Sequence, residues 1–199
     1  MPVLGLTGNL ATGKSTVLKL LKAKGAKTFE TDKVVHKYYK QANSFIYKKI
    51  VAAFPECLSR GLISRKKLGS IVFSNNSKLK KLEGIVHPVV TKDLLNWIKQ
   101  GKSDDKKFYI AEVPLLFEKG LTRHFDKIIL IVVKKEVLIQ RIIKKYGITK
   151  SEVSKRLCLY RPIREKIKKS DFIINNSLDF KRLEKEVGLL WKKKKKKQK

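Results

Sequence analysis

The chain has 199 residues, a hydrophobic fraction of 42% and a formal net charge of +31. That length and apolar content fit a single domain with a real core. Two cysteines, Cys57 and Cys158, outside any C-x-x-C pair, suggest neither a disulfide framework nor a zinc site, and no apolar run nears the ~20 residues of a membrane span. Two buried thiols in a reducing cytoplasm are expected. With a strand candidate that begins almost at residue 1, no secretory leader is expected.

Val3–Leu6 reads as a short buried strand. It runs into the pattern G-x-x-x-x-G-K-[ST] at Gly8, Gly13, Lys14 and Ser15, and Lys14–Lys24 follows with helical periodicity. Strand, tight loop and helix together make a phosphate site. The N–H groups of the loop cradle phosphate oxygens, and the helix N-terminus adds partial positive charge. Ala11, Thr12, Gly13, Lys14, Ser15 and Thr16 are the expected ATP-binding residues, with Lys14 on the β/γ-phosphates and the Ser15 hydroxyl on Mg2+.

Lys27–Phe29 is the second strand candidate. Asp32 lies just beyond it, where a carboxylate can orient or deprotonate an attacking hydroxyl, or can cap the helical pattern that begins at Lys33. From Val34 to Gln100 the pattern is almost wholly helical, with Ser44–Ala53 and Ser77–Lys99 clearest, and His87-Pro88 reads as a turn or helix break. This region is expected to cover a second substrate. Gly101–Lys106 is polar and turn-like and leads to strand candidates at Phe108–Val113 and Lys127–Val133. Glu112, at the end of the first of these, stands where P-loop folds keep a carboxylate near Mg2+. Glu136–Lys145 and Glu152–Tyr160 read as helices, Thr149 and Glu152 forming a capping box. Arg141, Lys144, Lys145, Arg156, Arg161 and Arg164 follow one another at helical spacing, which suits a mobile lid carrying cations over phosphates, or a solvated face. A strand at Phe172–Ile174 and a helix at Asp179–Trp191 complete the pattern. Apolar strands separated by helices predict an α/β fold with a mostly parallel five-stranded sheet covered on both faces. Ligands of such sheets sit beyond the carboxyl ends of the strands.

Six consecutive lysines, Lys192–Lys197, repel one another and predict a disordered tail over 192–199. The positive charge as a whole is carried by 40 Lys and only 8 Arg, spread along every segment. It fits solvated faces of a lysine-biased chain or a polyanionic partner. The scarcity of Arg argues against specific nucleic-acid readout and leaves nonspecific polyanion contact.

The ordered set of motifs resembles the dephospho-coenzyme A kinases over residues 3 to 190. It comprises Gly5-Leu6-Thr7-Gly8 with Gly13-Lys14-Ser15-Thr16, Gly25-Ala26 before Glu30-Thr31-Asp32, and Gly61-Leu62-Ile63-Ser64-Arg65 with Leu68 and Val72-Phe73. Leu82-Glu83 before His87-Pro88, Pro114-Leu115-Leu116-Phe117-Glu118, Gln140-Arg141 and Ser170–Asn176 follow. The resemblance implies a P-loop kinase domain over 1–191, with a helical substrate region at about 34–100 and a helical lid at about 141–169. It implies transfer of phosphate from ATP to the 3′-hydroxyl of dephospho-coenzyme A, with Mg2+ held at Ser15 and Glu112. Asp32 matches the candidate base, Arg141 a lid arginine at the transferring phosphoryl group, and Arg65 and His87 the coenzyme A side.

Several positions depart from the family pattern. Asn9 and Ala11 stand where glycine is common, Glu30 and Glu112 where aspartate is usual, Lys145 in place of a second lid arginine, and Tyr160 in place of glutamine. Ala11 is uncomfortable if the loop is left-handed there. Two rival readings stay open. One is another small P-loop kinase, acting on a nucleoside or nucleoside monophosphate. The other, more distant, is a basic nucleic-acid-binding module.

Overall fold

A computed structural model of the chain describes residues 2–104 and 106–196. The expectation of one domain with a helical region at about 34–100 meets a chain that divides into two compact units. One combines Met1–Phe29 with Trp97–Lys199, and the other is Glu30–Asn96.

The first unit is built on β1 (Val3–Gly8), whose six residues are all buried. With β2 (Lys27–Glu30), β5 (Tyr109–Glu112), β6 (Lys127–Val132) and β7 (Phe172–Asn175) it forms a five-stranded sheet of order β2-β5-β1-β6-β7. β1 runs parallel to both neighbours, Leu6 opposite Glu112 and Gly8 opposite Ile131, and β7 runs parallel to β6. A central parallel strand is buried on both faces, so its sequence is apolar without alternation. α1 (Lys14–Ala23) and α9 (Phe180–Lys196) share one core with the sheet, in which Val17, Leu18 and Leu21 meet Leu183, Val187 and Leu190 over Leu4, Leu6, Ile129 and Ile131. Phe108 and Trp191 close this core edge to face, their centroids 5.0 Å apart. α6 (Lys135–Tyr146), α7 (Lys150–Leu157) and α8 (Ile163–Lys168) lie between β6 and β7. The capping box on α7 is present, Thr149 and Glu152 exchanging both bonds.

The second unit contains α2 (Thr31–Lys40), α3 (Phe45–Ala53), α4 (Arg65–Phe73) and most of α5 (Asn76–Ser103). Its core gathers Ile46, Ile50, Phe54, Leu68, Val72, Val86 and Val90. Ser44 and Ser64 cap α3 and α4 by accepting from the N–H groups of Tyr47 and Lys67.

Several expectations are corrected. The region is not wholly helical: Leu58–Ser59 (β3) and Leu62–Ile63 (β4) pair as an antiparallel hairpin. Its two-residue turn, Arg60-Gly61, has φ of 49° and 73°, the doubly left-handed geometry that twisted hairpins favour. His87-Pro88 is no break, because Pro88 lies inside α5. Val86, Val90 and Leu94, four residues apart and buried on one face, hold the helix across the missing N–H. The same helix extends to Ser103, into the predicted turn. Of the two cysteines, Cys57 is buried but Cys158, just past α7, is exposed. The disordered tail expected from Lys192 is corrected as far as Lys196, where α9 ends. Leu183, Val187 and Leu190 anchor that helix, lysine is a good helix former, and cations suit a helix C-terminus. Residues 197–199 lie outside the described residues. Among the described residues, no helix is long and apolar enough to cross a membrane.

Candidate active site

The phosphate loop leaves β1 at Gly8, at the carboxyl end of the sheet's central strand. Both pattern glycines have a steric cause. A Cβ on Gly8 would sit 2.7 Å from Thr12 Oγ1 and 2.8 Å from the Ile131 carbonyl. Gly13 has φ of 91° and would drive a Cβ into the Asn176 amide. Gly13→Ala therefore adds left-handed strain of ~1–2 kcal/mol and breaks the bond from Asn176 Nδ2 to the Thr12 carbonyl. A net loss of about 2 kcal/mol is expected in a denaturant titration. Ala11, as its departure from glycine warned, is left-handed at φ 56°. It packs with Leu10 against Leu138, Ile142 and Val153 of α6 and α7, which holds that conformation in place.

Lys14 folds across the loop, its Nζ donating to the carbonyls of Gly8 and Asn9 at 3.0 Å each. α1 begins at Lys14 with no side chain capping it and no acidic residue in its first turn, so its amide dipoles suit an anion. The Ser15 hydroxyl donates to Glu112 Oε1 at 3.3 Å. A hydroxyl and a buried carboxylate side by side at the strand ends are the hard oxygen donors that Mg2+ takes alongside phosphates and water.

Two side chains from the last third of the chain hold the loop. The side-chain amide of Asn176, buried just past β7, donates to the Thr12 carbonyl at 2.8 Å, and the Asn176 backbone carbonyl accepts from Arg141 Nη1 at 2.8 Å. Arg141 is thus anchored beside the loop through Asn176. At the loop's other end, the fully buried Lys166 of α8 donates to Asn9 Oδ1 at 3.0 Å and pairs with Glu118 Oε1 at 2.7 Å. Neither anchor was legible. Lys166 is one lysine among many, and Asn176 stood in the motif string without a role.

Burial alone would raise the Glu118 carboxyl. The bonds from Lys166 and from the Arg161 N–H outweigh it and hold the group below its usual 4.5. A carboxyl lowered on folding adds stability that is complete above about pH 4.5 and lost as pH falls through the lowered value. A Lys166→Met/Glu118→Gln double variant is therefore expected to lose less stability than the wild type between about pH 6 and about pH 3, read by urea melts.

The second unit carries the other predicted residues. Asp32 is exposed in the first turn of α2 and is not its cap, which is Glu30. Glu30 itself pairs with Lys33 at 2.6 Å. Asp32 and Arg65 both act electrostatically on His36 and on Tyr39, so two of the predicted substrate residues share one neighbourhood. His36 lies one turn past Asp32 on α2. Burial, then Arg65 and Lys40, lower the His36 imidazole against the opposing pull of Asp32. His87 lies half-buried on another helix, α5.

A phosphate loop behind the central strand, with its serine facing Glu112, makes the first unit that of a P-loop kinase. The family model for dephospho-CoA kinase matches residues 2–181, and the chain belongs to that family. It is 37% identical over 176 residues to the dephospho-CoA kinase of Geobacillus kaustophilus, covering 87% of each chain. It is 37% identical over 179 residues to that of Aquifex aeolicus, covering 89% of each. The solved dephospho-CoA kinase of Campylobacter jejuni superimposes with a TM-score of 0.69 at 28% identity, over 96% of both chains.

Proposed function

We propose that the chain transfers the γ-phosphoryl group of ATP to the 3′-hydroxyl of dephospho-coenzyme A, giving coenzyme A and ADP, the last step of coenzyme A synthesis. The observation that carries this is the complete phosphate loop, with Ser15 against Glu112, in a chain of the dephospho-CoA kinase family. Lys14 and the amides of Ala11, Thr12, Gly13, Ser15 and Thr16 bind the ATP phosphates. Ser15 and Glu112 would hold Mg2+, which when bound neutralises charge on the phosphate oxygens. Asp32 takes or orients the proton of the acceptor hydroxyl, and Arg65 and His87 bind the coenzyme A side. Arg141, held by Asn176, supplies positive charge toward the transferring group. Two free cysteines suit a reducing, cytoplasmic setting.

The test is an ADP-release assay with MgATP that compares dephospho-coenzyme A with adenosine, AMP, CMP and dTMP. Turnover with dephospho-coenzyme A alone supports the reading. Turnover with a nucleotide or nucleoside instead keeps the loop chemistry and assigns Glu30–Asn96 to another acceptor.

A further inference from the structure

Lys166 is buried completely, although it sits on a short helix among exposed lysines. A lysine goes there only if its amine is well partnered, because burying an unpaired charge costs several kcal/mol. Its partners are specific. Glu118 Oε1 lies at 2.7 Å, Asn9 Oδ1 at 3.0 Å, and the ring of Tyr160 lies under the amine at 4.9 Å. Asn9 and Tyr160 are two of the positions where the chain departs from the family pattern, and both departures meet at this one amine. Asn9 is also where the loop is tied together, since its carbonyl accepts from Lys14 Nζ at 3.0 Å and from Thr12 Oγ1 at 2.9 Å.

We infer that Lys166 is a positioning residue for nucleotide binding. It pins the Asn9 side chain to Glu118 and so holds the loop carbonyls on which Lys14 rests. A glycine at position 9 would offer Lys166 no side-chain acceptor. With asparagine there, the loop is tied to α8, and through the N–H of Arg161 on Glu118 to the segment just before that helix. Loop geometry and the conformation of residues 160–168 are then one coupled unit. Order imposed on the loop before ATP arrives lowers the cost of organising its amides around phosphate. The inference rests on the ATP-binding part of the proposed function and not on the identity of the acceptor.

The test is MgADP binding by calorimetry on the full chain, without acceptor, alongside ATP KM and thermal melts. Asn9→Ala removes the acceptor and leaves the Lys166–Glu118 pair intact. It is expected to weaken MgADP about 3- to 10-fold, the effect of about one hydrogen bond, with a matching rise in ATP KM and no change in acceptor KM. Lys166→Met/Glu118→Gln removes the pair without stranding a buried charge. It is expected to weaken MgADP to a similar extent, and adding Asn9→Ala to it is expected to change the affinity no further. MgADP affinity of Asn9→Ala within about twofold of the wild type would overturn the inference, whatever the melts show. Full additivity of the two changes would overturn it as well. If the double variant does not fold, Asn9→Ala alone decides. A wild type that binds MgADP but does not phosphorylate dephospho-coenzyme A sinks the proposed acceptor, and the binding comparison still decides the role of Lys166.

Discussion

Asp32→Asn is expected to lower kcat with dephospho-coenzyme A by about 10²–10⁴-fold while leaving ATP KM nearly unchanged. The split follows from where the residue sits. Asp32 belongs to the second unit, on α2, whereas the phosphate-binding loop and Lys14 belong to the first. Asparagine keeps the size of the side chain and one acceptor oxygen, so ground-state contacts with the acceptor survive. What it loses is the capacity to take a proton and the negative charge that raises the nucleophilicity of a hydroxyl. His36 sharpens the test. Burial and Arg65 lower its imidazole below the usual 6.5 against the pull of Asp32, so it is the neighbouring group whose titration the pH profile must separate from that of Asp32. The measurement is steady-state kinetics across pH for wild type and variant. A kcat within about threefold of wild type would remove Asp32 from the proton-transfer role.

The parts of this molecule that were legible in its sequence are those set by local rules. The inner strands β1 and β6 announced themselves because a parallel sheet buries both of their faces, so they read as apolar runs. The loop announced itself because only glycine fits the space at Gly8 and Gly13. The strain at Ala11 could be foreseen from its departure from glycine. The missed features have physical reasons of another kind. The β3–β4 hairpin hid because arginine, not asparagine or aspartate, takes the first left-handed position of its turn. Within the helical pattern read over 34–100 the bounds of α4 did not stand out, because it opens on Arg65-Lys66-Lys67 and buries only Leu68 and Val72. α9 ran past Trp191 because tertiary anchoring of its apolar face outweighs the repulsion expected among lysines. Lys166 and Asn176 reach the loop across 157 and 164 residues of sequence, a relation that no local pattern encodes.

Lys14→Ala is expected to lower kcat/KM for ATP by about 10²–10³-fold, through a higher KM and a lower kcat together. In the proposed role the ammonium would touch phosphate oxygens in the ground state and gain strength as charge develops on them, so one substitution is expected to move both constants. In the structure the same Nζ bridges the carbonyls of Gly8 and Asn9. Its loss therefore also frees two acceptors in the loop, at a cost to stability of about 1–2 kcal/mol, too small to unfold the chain. Lys14→Arg is not expected to rescue. A planar guanidinium on a longer arm does not reproduce a compact ammonium seated between two carbonyls of a tight loop, although the charge is retained. The arginine variant thus separates geometry from charge. If Lys14→Arg restored kcat/KM to within about threefold of wild type, net charge in the loop would be the operative property. If both variants kept normal ATP constants and only the melts shifted, Lys14 would be a structural strut of the loop and the phosphate-binding role would fall.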